Sequence, residues 1–72
     1  MLTEIREMLE CLKELVKDGV SYNQARIIWN YTNKVLYVKD SNTISGFKPM
    51  PKAKKEVLKS IDELIHWVDD AQ

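Results

Sequence analysis

Cysteine, histidine, glycine and proline are all scarce in this chain, with one Cys, one His, two Gly and two Pro among 72 residues. A single thiol, Cys11, excludes an internal disulfide, and with His66 as the lone imidazole there are too few Cys and His side chains for a structural zinc site. Two glycines leave no Gly-rich loop to cradle a phosphate. Long hydrophobic runs are missing as well. Uncharged stretches such as 19–25 and 27–33 stop at seven residues, far below the roughly 20 apolar residues of a membrane helix. Glu4, Arg6, Glu7 and Glu10 interrupt any signal-peptide core. The expectation is a soluble, cytoplasmic protein with a reduced thiol and no membrane contact. No metal or cofactor is expected. His66 stands among Asp62, Asp69 and Asp70 with no nucleophile paired to it, so the chain is not expected to be an enzyme.

What is present is enough for one small core, at 44% hydrophobic and 31% charged residues. A domain of this size buries only about 60% of the surface its unfolded chain exposes, so a partner or a second copy is a natural supplement. Charge sums to zero but is unevenly placed. Residues 1–18 carry two more acids than bases, 19–59 six more bases than acids, and 60–72 four acids with no base. Local potential, rather than the sum, is what attracts a polyanion or an acidic protein surface.

Leu2, Ile5, Leu9, Leu12 and Val16 recur at spacings of three and four, which predicts an amphipathic helix over 2–18. Gly19 follows as a residue that tolerates a left-handed stop. The same stripe is a two-heptad seam, so it suits either the domain's own core, the favoured use, or a homodimer. Ser21 and Gln24 form a capping box that opens a second helix over 22–33. Asn23, Arg26, Asn30 and Asn33 fall along one side of it. Asn is a poorer helix former than the Glu and Lys that usually fill a solvated face, so these side chains read as kept for their donor and acceptor pattern. Val35–Val38 is β-branched and aromatic, and the turn formers Asp40, Ser41 and Asn42 lead into Thr43–Ser45, which predicts a short hairpin over 35–47. The alternative is that the second helix continues through Tyr37. Pro51 is placed for the first turn of a last helix over 51–69, on the stripe Ala53, Val57, Ile61, Leu64 and Val68. Its lysines crowd the N-terminus and its aspartates the C-terminus, against the helix dipole. The fold class expected is therefore mostly α, helix–helix–short β-hairpin–helix in a single domain over 1–72. Trp29, Tyr31, Tyr37, Phe47 and Trp67 are expected in or beside the core, and Cys11 as an inert small apolar residue.

The segment from Leu15 through the Gly19-Val20-Ser21-Tyr22 turn to Asn30 reads as helix, Gly turn, helix. It resembles a helix-turn-helix, and in Gly19-Val20-Ser21-Tyr22 and Asn30 it is similar to the DNA-reading segment of the lactose-repressor family, whose second helix lies in the major groove. The resemblance covers about sixteen residues. It departs from the family at Leu15, where a small residue is usual, and in the length of the first helix. It implies base-reading positions at Tyr22, Asn23 and Ile27, and an Ile there contacts a thymine methyl but donates no hydrogen bond. Arg26 and Asn30 suit guanine, adenine or phosphate. Asn33 and Lys34 extend that surface, Lys34 and Lys39 would sit on a small wing, and Lys39, Lys48, Lys52, Lys54 and Lys55 would meet phosphates. The expected function is a small DNA-binding regulator whose partner is duplex DNA. The alternative is a protein-interaction module, an adaptor or an inhibitor of a nucleic-acid-handling protein, contacting its partner through the Asn-rich face with Tyr22, Ile27 and Tyr31. Zero net charge, acidic ends and Ile27 favour that alternative. Small size alone admits a third reading, an oligomerising protein of a phage or mobile element.

Overall fold

The first helix, α1, spans Leu2–Lys17 and ends as its sequence predicts, within one residue. In the computed structural model, which describes residues 2–39 and 49–71, Gly19 has φ +87°. Its amide donates to the Val16 carbonyl at 3.1 Å while the Val20 amide donates to the Leu15 carbonyl at 3.0 Å. Those two bonds are the Schellman pair that satisfies carbonyls left open at a helix end. The turn feeds directly into α2, Tyr22–Lys39. The Ser21 carbonyl accepts the first helical bond from the Ala25 amide at 3.0 Å, and its hydroxyl accepts from the Gln24 amide at 3.3 Å. Gln24 completes the cap differently from the expected reciprocal bond. Its Oε1 accepts from the Ser21 hydroxyl at 3.1 Å.

The expected hairpin is where the sequence reading fails. Residues 35–39 are the last part of α2, and no strand occurs among the described residues. The second expected strand, 43–45, lies outside them. The β-leaning residues of 35–38 yield because Leu36 falls four after Thr32 and seven after Trp29, in register with the buried side of α2, and is fully buried. Burial of that side chain outweighs a local β preference worth well under about 1 kcal/mol.

The third helix, α3, spans Lys54–Ala71 rather than starting at Pro51. Ala53 takes the cap position, its carbonyl accepting from the Val57 amide at 3.0 Å. Its methyl group offers no acceptor to the open amides of the first turn.

Packing centres on α1, which lies against both α2 and α3, while α2 and α3 do not meet backbone to backbone. Ile5, Leu9, Leu12 and Val16 of α1 join Ala25, Trp29 and Leu36 of α2 and Val57, Ile61, Ile65 and Val68 of α3 in one buried cluster, with Met50 closing it from the segment before α3. The α1 stripe thus serves the chain's own core, and those four residues are not free as a seam for a second copy. Two ion pairs lock α1 to α3, Arg6 Nε to Asp69 Oδ1 at 2.7 Å and Lys13 Nζ to Asp62 Oδ1 at 2.8 Å. Rising numbers on one helix meet falling numbers on the other, so the two run antiparallel with a rung every seven residues. Asp69, one of the two aspartates that oppose the α3 dipole, thus faces α1. None of the three helices is long and apolar enough to cross a membrane.

Candidate functional site

Helix geometry sets which side of α2 points where. Side chains three and four apart share a face, so once Ala25, Trp29, Thr32 and Leu36 turn inward, the opposite face carries Asn23, Ile27, Tyr31 and Lys34, with Arg26 and Asn30 along one flank. Ile27 stands at its middle and is 69% exposed, and Tyr31, one turn on, is 55% exposed. Asn23, Arg26 and Lys34 are exposed and Asn30 is half-buried. No acidic residue occurs anywhere in α2.

Asn33 does not belong to this surface. It is buried, and its Nδ2 donates to the Trp29 carbonyl at 2.9 Å. Thr32 beside it is fully buried, its hydroxyl at 3.1 Å from the Ile28 carbonyl and 3.0 Å from the Trp29 carbonyl. Both polar groups are satisfied within their own helix turn, which is why the core tolerates them. Thus α2 carries polar groups inside and large apolar groups outside, and its separation of apolar from polar faces is the weakest of the three helices.

Tyr22 is also committed elsewhere. Its hydroxyl donates to the Met50 carbonyl at 2.8 Å, tying the start of α2 to the segment that leads into α3. Around this tie a half-open hollow of about 150 Å³ brings Tyr22 together with Lys52 and Lys54 over an apolar floor of Val16, Ala25, Met50 and Val57. Lys54 is not a free phosphate contact, because its Nζ donates to the Lys17 carbonyl at 3.2 Å. An ammonium at that end of α1 meets the negative pole of the helix. Lys52 and Lys55 are exposed. The side chain of Lys39 and all of Lys48 lie outside the described residues. The expected surface therefore divides. Asn23, Arg26, Ile27, Asn30 and Lys34 share one side of α2, Tyr22 gathers with Lys52 and Lys54 at the junction of the three helices, and Asn33 is inside.

Two further side chains sit where the sequence did not put them. Tyr31 is outside rather than at the core edge, because it falls opposite Trp29 and Leu36. Cys11 is exposed rather than beside the stripe, since it lies four after Glu7 and three before Glu14 on the polar side of α1. Trp29 is buried and Trp67 half-buried against the core as expected, whereas the side chain of Tyr37 and all of Phe47 lie outside the described residues. His66 is exposed and lines a shallow hollow with Glu10, Lys13, Ile65, Asp62 and Asp69. The last two of these are held by Lys13 and Arg6. No group of three or more His, Cys, Asp or Glu side chains among the described residues is arranged to hold a metal ion.

Comparison with protein-family models, with curated proteins and with solved structures finds no match to this chain.

Proposed function

We propose that the protein is a small binding module that presents the outer face of α2 to another protein. The observation that carries this reading is Ile27, 69% exposed at the middle of that face with Tyr31 beside it. Leaving such side chains largely in water forgoes part of the roughly 1.5–3 kcal/mol that full burial of a large apolar side chain contributes, a loss a partner's apolar groove recovers. Arg26 and Lys34 form a cationic rim and Asn23 and Asn30 supply amide donors and acceptors, so the partner that fits is an apolar groove edged by carboxylates. An exposed thiol at Cys11 is in keeping with a reducing cytoplasm.

A second reading, duplex DNA gripped by α2, draws support from the absence of any acid in that helix and from the Gly19 turn that resembles a helix-turn-helix. The two separate on Ile27 and Arg26. Ile27→Asp in affinity capture abolishes retention of a protein partner while the circular dichroism melt stays unchanged. If every protein retained by the parent is retained equally by that variant, the protein-binding reading is wrong. Fluorescence anisotropy with duplex DNA at low salt, showing affinity that falls steeply as salt rises and is lost in Arg26→Ala, would establish the second reading in its place.

A further inference from the structure

On the side of α1 turned away from the core, Glu4, Glu7, Cys11, Glu14 and Asp18 follow one another at spacings of three and four, and all are exposed. Among the described residues the one ion pair on this stripe is loose, Glu14 Oε1 to Lys17 Nζ at 3.9 Å. Two of the three bases of α1 reach across the seam, Arg6 to Asp69 and Lys13 to Asp62 of α3, with Arg6 also 3.4 Å from Glu10. Among the described residues two exposed helix faces of opposite charge remain, an acidic one on α1 and a cationic one on α2.

We propose that the partner of the α2 face is a second copy of this chain, which receives it on the acidic face of α1. The inference rests on the reading that α2 engages a protein and names which one. The spacing is compatible. Glu7 and Glu14 are about 10 Å apart along α1, and Arg26 and Lys34 about 12 Å apart along α2, at roughly 1.5 Å of rise per residue. Beside the acids, Cys11 with the half-buried Met8 and Leu15 makes a narrow apolar strip for Ile27 and Tyr31. Pairing α2 with α2, or α1 with α1, would set like charges together, so charge selects the unlike pairing. Unlike patches either pair reciprocally about a twofold axis as a dimer or, where one contact forms without the other, close into a ring or extend as a chain.

Sedimentation velocity over a concentration series, with reductant present to keep Cys11 a thiol, tests this. The mean mass rises above the monomer with concentration at low salt and returns to it at about 1 M salt, where the screening length is roughly 3 Å. Arg26→Glu with Lys34→Glu weakens self-association on the order of a hundredfold, and Glu7→Lys with Glu14→Lys does the same. Mixing the two charge-reversed chains restores a salt-sensitive complex. All four positions are exposed, and the circular dichroism melts of both variants stay near the parent's. A parent that is monomeric throughout, an assembly that survives either double reversal, or a mixture that does not recover would overturn the proposal. A monomeric parent whose capture of a different protein still depends on Ile27 leaves the α2 reading standing and removes only the second copy. Self-association that survives Ile27→Asp would count against both.

Discussion

The α1–α3 pair and α2 solve the same problem of burying a helix face in opposite ways. Along α1 and α3 apolar and polar residues are cleanly separated, and the antiparallel seam is stitched by Arg6–Asp69 and Lys13–Asp62. On α2 the separation is weak, Thr32 and Asn33 are buried, Ile27 and Tyr31 are exposed, and no described ion pair ties it to its neighbours. A helix selected for folding alone would move its apolar groups inward and its amides outward. Among the described residues the departure from that arrangement is confined to α2, with α1 and α3 as the platform that holds it in place.

The comparison is sharpest at Leu12 and Ile27. Leu12 is fully buried, so Leu12→Ala should destabilise by about 2–5 kcal/mol. Ile27→Ala should change stability by no more than about 0.5 kcal/mol. Urea unfolding midpoints of the two variants check this, and a large loss in Ile27→Ala would erase the distinction between platform and presented helix.

Gly19 is the joint between the two regions. A Cβ placed there meets nothing within 4 Å, yet φ is +87°, a conformation L-residues adopt at a cost. Gly19→Ala should therefore destabilise by about 1–2 kcal/mol through backbone strain alone. A variant as stable as the parent would mean that the turn relaxes and does not fix how α2 leaves α1.

A smaller effect of opposite sign is expected at the start of α3. Ala53 caps nothing with its side chain, so Ala53→Asp should stabilise by about 1 kcal/mol, accepting from open amides beside Lys54 and Lys55. No gain in thermal midpoint would show that water already satisfies those amides.

The smallest expected effect concerns the seam. The Asp62 carboxylate, hydrogen-bonded to the Lys13 ammonium, holds the Lys13 proton above the ordinary lysine value of 10.5, and Asp69 acts on Arg6 in the same direction. A base whose folded pKa is raised contributes its full stabilisation below the unfolded value and loses it as pH climbs through the raised one. Stability from this pair should hold up to the unfolded lysine value of 10.5 and fall as pH climbs beyond it, less steeply in Lys13→Met. Parallel profiles for parent and variant would remove this pair from the seam's stability. Both side chains lie near water, so the difference is slight.

Legibility in the sequence followed the range of the forces involved. The α1 stripe, its stop at Gly19 and the Ser21–Gln24 cap were all readable, because each depends on residues within one or two turns of each other. The hairpin was misread because Val35 to Val38 look like a strand locally, and only the packing of Leu36 against other helices makes them helical. Asn33 was misplaced for a related reason. Spacing alone puts it in line with Arg26 and Asn30, and nothing local reveals that its amide is satisfied by the Trp29 carbonyl inside the core.

What the amino-acid order determined by itself was three amphipathic segments, where the first stops and how the second begins, since helix period, left-handed glycine and side-chain capping act over a few residues. That Tyr31 faces water and Asn33 does not was decided only when the helices packed. So was the fate of Arg6, Lys13, Asp62 and Asp69, whose charges cancel across α1 and α3 and leave one acidic and one cationic face exposed. Burial is a property of the assembled core, and a weakly amphipathic helix takes its orientation from the neighbours that cover Trp29 and Leu36.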